Sequence, residues 1–304
     1  SLGYKHSNIV KVALTTVLNI PEGDRLYVNS SLISSKDKYL GDSAAPVDDL
    51  FKSKLPAYLV AEYPTGRIVS GKNIDGKRSV ASLTKLLVAY EALNQNLNLN
   101  KSITYKKKLY GVDNKTLALR DGESLKVVDA FNSMLVGSVN SAAKMIAQNS
   151  ASSENALVSE INERLDEWGA DNTTVADVTG INEKNKSTAR DVLKIFTKVL
   201  KNQTIKTSLG KISYSFKTKR AGQSVKNTNP LYKVAKNYKI IASKTGYTDE
   251  AGEVIVMLIE SKKNKKQYVV VTMGNTGAYA RRFDEPSKIA EWISSGNVKI
   301  ANSD

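Results

Sequence analysis

Two solid apolar runs near the C-terminal end of the chain are the clearest sign of strands. Residues 254–259 and 268–273 consist mostly of valine, isoleucine, leucine and methionine, and a lysine-rich segment separates them. Short apolar runs joined by a polar turn are typical of a buried β-hairpin. Residues 58–61 and 67–70, on either side of Tyr63-Pro64-Thr65-Gly66, predict a second hairpin.

Between these hairpins, apolar positions recur at the helical spacing of three and four residues. Leu83, Leu86, Leu87 and Tyr90 share one face of a predicted helix, whose candidate caps are residues 79–82. Two further segments are apolar and alanine-rich, as in buried helices, and two others are amphipathic. In chain order, the predicted helices are residues 82–93, 127–135, 141–148, 154–168 and 187–200, with a last one at 286–293.

Strands before and after a block of helices place the chain in the α/β (α+β) class. We expect an antiparallel sheet flanked by helices, with a helical subdomain at about residues 82–200 inserted between the sheet-forming segments. Residues 21–50 are polar and irregular, and we interpret residues 1–54 as a loop-rich N-terminal extension. Residues 55–304 then form one large domain.

The absence of cysteine narrows the chemistry that this chain can perform. No disulfide, thiolate zinc site or cysteine nucleophile can form, and the single histidine, His6, lies next to the N-terminus. A Ser-His-Asp triad therefore has one candidate imidazole, outside the predicted domain. Hydrolytic chemistry would have to use serine, lysine, tyrosine or carboxylates, and we expect no metal and no other cofactor.

The formal net charge of +15 raises the question of an anionic partner. This charge fits attraction to nucleic acid, to an anionic membrane or to a cell-wall polymer, and it equally fits a lysine-rich soluble surface. The densest lysine clusters, at 106–108 and 262–266, lack the interleaved aromatic residues of a base-stacking surface. We expect no nucleic-acid partner, whereas contact with an anionic cell-wall polymer stays open.

A serine and a lysine one helical turn apart form the first candidate motif, Ser82-Leu83-Thr84-Lys85. The Ser-x-x-Lys spacing also occurs elsewhere, for example at Ser141 and Ser208, so the spacing alone has little weight. Ser82, however, begins an amphipathic helix, which would place Lys85 on the same face and the positive end of the helix dipole at the hydroxyl. A lysine whose pKa is lowered by burial and by a second cation such as Lys244 can accept the serine proton.

The second and third motifs are Ser138-Val139-Asn140 and Lys244-Thr245-Gly246. Ser-x-Asn recurs at Ser153 and Ser295, whereas Lys-Thr-Gly occurs once. The third motif precedes the strand at 254–259, so we expect it on an edge strand along which an extended peptide could lie. A glycine there would leave the strand bare for a substrate backbone, and the lysine and threonine could hold a carboxylate.

Ser-x-x-Lys, Ser-x-Asn and Lys-Thr-Gly, in this order, form the signature of penicillin-binding proteins and serine β-lactamases, which this chain resembles. Sequences at residues 63–85, 134–143, 168–191 and 227–252 are similar to one branch, the low-molecular-weight D-alanyl-D-alanine carboxypeptidases. The likeness extends from about residue 55 to residue 295. It implies the serine β-lactamase/DD-peptidase fold and makes residues 55–304 the catalytic domain.

The resemblance implies catalytic roles for three residues. Ser82 would be the acylated nucleophile and Lys85 its general base. Ser138 would relay a proton to the leaving amine, although a serine in this place could also simply cap the following helix.

The resemblance also implies a substrate-binding set. Asn140 would bind the peptide amide, although it could instead satisfy a buried loop. Lys244 and Thr245 would hold the terminal carboxylate, beside the bare backbone of Gly246. The backbone N–H of Tyr247, with that of the nucleophile, would form the oxyanion hole.

These roles imply a serine-type D-Ala-D-Ala carboxypeptidase that removes the terminal D-Ala of peptidoglycan stem peptides through an acyl-enzyme. Penicillins would be covalent inhibitors, and a bacterial, extracytoplasmic location would follow from the substrate. A β-lactamase or transpeptidase of the same superfamily, or a non-catalytic cell-wall binding module, stay open as alternatives.

For a β-lactamase, Glu163 or Glu167 would have to activate water, but their amphipathic helix favours a solvated role. Val139 is larger than the residue usual in the second motif and would add bulk near the cleft.

Overall fold

A computed structural model describes residues 47–277 and 281–296 of the chain. The predicted N-terminal extension, apart from residues 47–54, lies outside the described residues, so that part of the domain division stays a prediction.

The described chain alternates strands and helices. The strands are β1 (Ala57–Tyr63), β2 (Ile68–Lys72), β3 (Arg78–Ser79), β4 (Ser102–Thr104), β5 (Ser124–Lys126), β6 (Lys186–Ser187), β7 (Ser213–Lys217), β8 (Gly222–Lys226), β9 (Tyr238–Thr248), β10 (Gly252–Ser261) and β11 (Gln267–Asn275). The helices are α1 (Thr84–Asn94), α2 (Lys107–Tyr110), α3 (Val127–Val136), α4 (Asn140–Ser150), α5 (Glu154–Glu167), α6 (Ala189–Val199), α7 (Gln203–Leu209) and α8 (Asp284–Ser294).

Five of the strands form an antiparallel sheet in the order β2-β1-β11-β10-β9. Both predicted hairpins are present, as β1–β2 and β10–β11. β9, which carries Lys244-Thr245-Gly246, is an edge strand as predicted, and in the part of the chain that the structure describes it pairs with β10 alone. The edge of this strand is therefore the side of the sheet on which an extended ligand could add.

Both faces of the sheet are covered, which explains why its strands are solid apolar runs. Every residue from 254 to 259 is fully buried. On one face, Ile289 and Ile293 of α8 join Tyr58, Ile255 and Met257 in one apolar cluster. On the other face, α6 packs against β1, β10 and β11. Strands buried on both sides lose the alternation of apolar and polar residues that marks a half-exposed sheet.

The helical subdomain lies between β2 and β9 in the chain, as predicted, and its buried centre is α3 and α4. Amphipathic α5 is capped by Ser153, which accepts from the N–H of Ala156, and α6 is capped by Thr188. The mixed α/β class with an antiparallel sheet is confirmed. Within residues 47–277 and 281–296, no helix is both long and apolar enough to cross a membrane.

One helix start differs from the prediction. The α-helix begins at Thr84, and Ser82 occupies the middle of a 3₁₀ turn, Ala81–Leu83, that leads into it. None of the candidate caps at 79–82 caps α1, whose N-cap is Leu83 without a side-chain bond. The tighter turn arises at Ala81, whose φ is +44°. The nucleophile candidate is thus held in a turn rather than in the first turn of the α-helix.

Candidate active site

Ser82 and Lys85 are hydrogen-bonded to each other. The Nζ atom of Lys85 lies 2.8 Å from the Oγ atom of Ser82. Both residues are buried: Lys85 has no exposed surface, and Ser82 is 7 % exposed. The Ser-x-x-Lys pair at Ser208 is different, because its serine and its lysine both donate to Asn132.

The remaining partners of Lys85 fix where its lone pair can point. Nζ also donates to Oδ1 of Asn140 at 2.8 Å and to the backbone oxygen of Thr179. Both are carbonyl oxygens, which accept hydrogen bonds and cannot donate one. A neutral amine bonded to both must direct its lone pair at the third neighbour, the hydroxyl of Ser82. The geometry therefore selects the one partner that can give up a proton.

Burial lowers the pKa of Lys85 to about 7, and the positive charge of Lys115 contributes, while Asp177 acts in the opposite direction. An amine with this pKa is uncharged in a large fraction of molecules at neutral pH. The sequence prediction assigned the neighbouring charge to Lys244 and did not include Lys115.

Ser138 and Asn140 occupy the short link between α3 and α4. Ser138 is fully buried with φ at +57°, and Asn140 is the first residue of α4. Val139 is the N-cap of α4 and is itself buried, without a side-chain capping bond. The hydroxyl of Ser138 instead accepts from Lys244 at 2.8 Å. The capping alternative for Ser138 is therefore wrong.

Both polar atoms of the Asn140 side-chain amide are hydrogen-bonded. Oδ1 accepts from Lys85, and Nδ2 donates to Oδ1 of Asn114 at 2.6 Å. Asn140 thus links the amine of the first motif to the loop at residues 111–123. A substrate carbonyl could be bound by Nδ2 only in place of Asn114.

Lys244 is the buried cation on β9. Its Nζ atom donates to Oγ of Ser138 at 2.8 Å and to the backbone oxygen of Thr245 at 2.7 Å. Burial lowers its pKa well below the ordinary value, the charges of Lys85 and Lys115 act in the same direction, and Glu253 opposes them. Thr245 donates to the hydroxyl of Thr228 at 2.6 Å, in a partly buried position.

Gly246 brings β9 against the turn that holds Ser82. A Cβ atom built on Gly246 would lie 2.7 Å from the backbone nitrogen of Ser82 and 3.0 Å from Cβ of Ala81. The glycine is therefore required by the approach of the protein's own turn, a reason that differs from the expected approach of a substrate backbone. The next residue, Tyr247, is 38 % exposed and stacks beneath the guanidinium of Arg282 at 3.5 Å from the ring centroid.

The loop at residues 177–180, which the sequence prediction missed, also lies against the turn that carries Ser82. Asp177 accepts from the N–H groups of Thr179 and Gly180, each at 3.1 Å, which fixes the carbonyl of Thr179 on Lys85. Gly180 has φ at +81°, and a Cβ built on it would stand 2.1 Å from the backbone oxygen of Ala81. The Asp-x-Thr-Gly turn sequence was the available signal, but only tertiary contact reveals its partner.

All the predicted site residues lie in one region. Lys85 is hydrogen-bonded to Ser82 and Asn140, and Lys244 is hydrogen-bonded to Ser138 and to the backbone of Thr245. Gly246 lies against the turn that carries Ser82. Residues outside the prediction that complete the site are Asn114, Lys115, Asp177, Thr179, Gly180 and Thr228.

The two carboxylates considered for water activation lie on the exposed side of α5. Glu163 and Glu167 are both exposed, and Glu167 pairs with Arg164, which also binds Glu91. These contacts are those of a solvated helix face.

Comparison with known proteins identifies the family of the chain. The family model for D-alanyl-D-alanine carboxypeptidases matches residues 46–277. A D-alanyl-D-alanine endopeptidase of Pseudomonas aeruginosa is 28 % identical over 246 residues, which cover 79 % of this chain and 77 % of the relative. A D-alanyl-D-alanine carboxypeptidase of Bacillus subtilis is 25 % identical, covering 71 % of this chain and 56 % of the relative.

Solved structures share the fold. The crystal structure of a D-alanyl-D-alanine carboxypeptidase from Mycobacterium tuberculosis superposes with a TM-score of 0.74 at 20 % identity, covering 86 % of this chain and 97 % of that one. A Streptomyces K15 DD-transpeptidase structure has a TM-score of 0.70 at 24 % identity, covering 82 % and 98 %. The predicted fold is confirmed by these likenesses. With the family match over most of its length, the chain belongs to the D-alanyl-D-alanine carboxypeptidase family of serine hydrolases.

Proposed function

We propose that this protein removes the terminal D-Ala of peptidoglycan stem peptides through an acyl-enzyme on Ser82, with Lys85 as general base. The observation that carries the proposal is the arrangement around Lys85. Two carbonyl acceptors and one hydroxyl surround a buried amine, so the uncharged amine faces the proton of Ser82.

In the acylation step, Ser82 Oγ attacks the carbonyl carbon of the penultimate D-Ala while its proton passes to Lys85 Nζ. The bond from that carbon to the amide nitrogen then breaks. The leaving nitrogen takes up a proton, so free D-Ala departs as an amine and the rest of the peptide remains as a serine ester. Ser138, hydrogen-bonded to Lys244, is the proposed relay of that proton.

Backbone groups near Ser82 would stabilise the oxyanion. Ser82 is the second residue of the 3₁₀ turn Ala81–Leu83, and its backbone N–H comes too early in the turn to have an acceptor within it. Gly246 lies close to this nitrogen, and the N–H of the following residue, Tyr247, would be the second donor. Each such donor is worth about 3 kcal/mol in the transition state.

The terminal carboxylate of the substrate would lie against Lys244 and Thr245. Burial and two neighbouring lysines disfavour the charge on Lys244 in the free protein. A bound carboxylate favours that charge, so substrate binding and protonation of Lys244 would reinforce each other. Water then attacks the ester, which releases the shortened peptide as a carboxylate and returns the proton to Ser82.

An endopeptidase that cuts cross-linked stem peptides is the second candidate. Relatives from Pseudomonas aeruginosa and Escherichia coli, both named D-alanyl-D-alanine endopeptidases, are 28 % and 27 % identical over 77 % of their lengths. The bond cleaved by such enzymes also follows a D-Ala carbonyl, so the same residues would serve. Either activity implies an extracytoplasmic, bacterial location and penicillins as covalent inhibitors, and both remain part of the proposal. Contact with an anionic cell-wall polymer has no further support.

The test is a pentapeptide ending in D-Ala-D-Ala, with free D-Ala measured by mass, alongside a cross-linked muropeptide dimer. A penicillin should add its mass once, at Ser82, and Ser82→Ala should lose both the adduct and D-Ala release. Ser208→Ala is the matched control, because it removes the hydroxyl of another Ser-x-x-Lys sequence that does not contact its own lysine. An adduct that persists in Ser82→Ala would refute the proposal, as would retained D-Ala release.

A further inference from the structure

We propose that the ammonium group of Lys115 is a binding site for a second carboxylate of the substrate, on the side chain of the residue that precedes D-Ala-D-Ala. This inference rests on the proposed function and assigns that site a preference for acidic peptides.

The backbone at Lys115 is fixed directly on the active site. Its carbonyl oxygen accepts from the backbone N–H of Asn140 at 2.8 Å, and Asn114 accepts from the Asn140 side chain at 2.6 Å. Two residues later, the N–H of Leu117 donates to Ser141 Oγ at 3.0 Å. The loop is therefore held on both sides of Lys115 by the first turn of α4, which also carries a partner of Lys85.

The conformation of Lys115 is one that a lysine seldom adopts. Its φ is +48°, in the left-handed region that favours glycine, and Ser138 in the same site shares this feature at +57°. Such conformations persist where surrounding contacts impose them, and they cluster at functional sites. The consequence here is that the Cα–Cβ direction of Lys115 is set by the hydrogen bonds to Asn140.

The side chain of Lys115 reaches solvent, although its ammonium end is partly shielded, and this burial lowers the pKa of Lys115. Within residues 47–277 and 281–296, its ammonium group makes no hydrogen bond and no ion pair. Lys85 and Lys244, by contrast, are buried and use their donors on Ser82, Ser138 and backbone oxygens. Lys115 is thus the cation of the site that can meet a ligand without breaking an internal contact.

The charge balance of the site favours an anion. Lys115 lowers the pKa of both Lys85 and Lys244, so the three amines lie close enough to repel one another. The carboxylate that opposes this effect at Lys85 is Asp177, and at Lys244 and Lys115 it is Glu253. Burial raises the pKa of Glu253 to about 7, so Glu253 is only partly charged at neutral pH. A carboxylate entering beside Lys115 would relieve repulsion that Glu253 leaves uncompensated.

This carboxylate is distinct from the terminal one. The terminal group is assigned to Lys244 and Thr245 on β9, whereas the backbone of Lys115 is hydrogen-bonded to Asn140 at the start of α4. Asn140 is the proposed contact of the peptide amide, so Lys115 is adjacent to the donor part of the substrate. An acidic side chain just before D-Ala-D-Ala is the group that we assign to it.

Two peptides that differ only in charge test the inference. N-acetyl-L-Glu-D-Ala-D-Ala and N-acetyl-L-Gln-D-Ala-D-Ala are nearly isosteric, and kcat/KM for each follows from release of D-Ala. For one charge-assisted contact at an exposed site we expect a preference for the glutamate peptide of about fivefold, mainly in KM. In Lys115→Gln the ratio should fall to about one. Any change that this substitution causes at Lys85 affects both peptides equally and cancels in the ratio.

Lys265→Gln is the matched control, because Lys265 is also an exposed lysine with positive φ, at +60°, but lies in the β10–β11 turn. It should keep the wild-type ratio. Equal kcat/KM for the two peptides in the wild type, or a preference that survives Lys115→Gln, would overturn this inference alone. No D-Ala from either peptide, together with no penicillin adduct, would overturn the proposed function and the inference with it.

Discussion

Gly246 on the edge strand touches the backbone nitrogen of Ser82, the atom from which the nucleophile's side of the oxyanion hole would be built. A Cβ on Gly246 would be 2.7 Å from that nitrogen and 2.9 Å from Cγ2 of Val254. Neither neighbour is the free end of a flexible side chain, so the distance between β9 and the 3₁₀ turn depends on the missing methyl group. Strand β9, which would bind the substrate, therefore lies directly against the turn that carries the attacking serine.

Gly246→Ala should separate these two elements. Because the added methyl group meets backbone, we expect β9 or the turn to shift by some tenths of an ångström, and displacement of reacting groups on this scale costs about 10- to 100-fold in rate. The free energy of unfolding should fall by about 1–3 kcal/mol, as for other overpacked sites. The rate of acylation by a fluorescent penicillin and a thermal unfolding curve measure the two effects.

Gly222→Ala provides the comparison for that variant. Gly222 lies on β8, and a Cβ there would meet no atom within 4 Å. This variant should acylate at the wild-type rate. A Gly246→Ala protein that also acylates at the wild-type rate would mean that the close contact has no part in placing Ser82.

Gly180→Ala should weaken the hydrogen bond between Lys85 and the backbone oxygen of Thr179. Its Cβ would stand 2.1 Å from the backbone oxygen of Ala81, so the loop carrying the Thr179 carbonyl must move away from the lysine. Gly122→Ala is matched in backbone strain, with φ at +80° against +81°, but its Cβ would meet nothing within 4 Å. We expect Gly122→Ala to cost about 1 kcal/mol of stability and no activity.

Gly180→Ala should lose the same stability through backbone strain, and it should also displace the loop. The displacement should slow acylation about tenfold or more. The measurement is again fluorescent-penicillin labelling beside thermal unfolding of both variants. Equal effects of the two substitutions would show that strain alone, and no contact with the Ala81 turn, makes Gly180 necessary.

The large features of the fold were predictable because apolar spacing records burial directly. The solid runs of β10 and β11 and the periodic pattern of α1 depend on which positions are buried, and each is where the pattern placed it. The start of α1 was missed by two residues because the φ of +44° at Ala81 is imposed by contacts with Gly180 and Gly246, which lie far away in sequence.

The site was predictable to the extent that local motifs carry it. Ser82 in the 3₁₀ turn and Lys85 in the first turn of α1 are three residues apart on continuous helical backbone, so their contact follows from local spacing. The carbonyl oxygens of Thr179 and Lys115 contribute through the backbone, and residue type does not reveal which partners such atoms meet. Their role became apparent only when folding placed them on Lys85 and Asn140.

Ser138→Ala removes the hydroxyl that accepts from Lys244. The alanine can adopt the same φ with similar strain, so the fold should persist, while Lys244 loses one partner and the proposed proton relay is lost. We expect kcat for D-Ala release to fall about 100-fold, in the range usual for a positioned acid–base group. Steady-state kinetics with a D-Ala-D-Ala peptide give this value.

Ser133→Ala is the control for the relay. Ser133 lies in α3, shortly before Ser138, and the two residues are equally buried. Its hydroxyl has no hydrogen-bond partner in the described part of the chain. Removing an unsatisfied buried hydroxyl should leave kcat unchanged and stability equal or slightly higher. If the two variants have the same kcat, Ser138 does not take part in proton transfer.

The pH dependence of acylation should report the charge on Lys85. Because the uncharged amine is the base and the pKa of Lys85 is about 7, the acylation rate should rise with pH and be half-maximal near that value. Lys115 lowers this pKa through its positive charge, so Lys115→Gln should raise it and move the rising limb to higher pH. Lys265→Gln, remote from the site, should leave the limb in place. Rates of penicillin adduct formation between about pH 5.5 and pH 9 measure all three profiles. A limb that moves to lower pH in Lys115→Gln, or a flat wild-type profile, would contradict the assignment of Lys85 as the base.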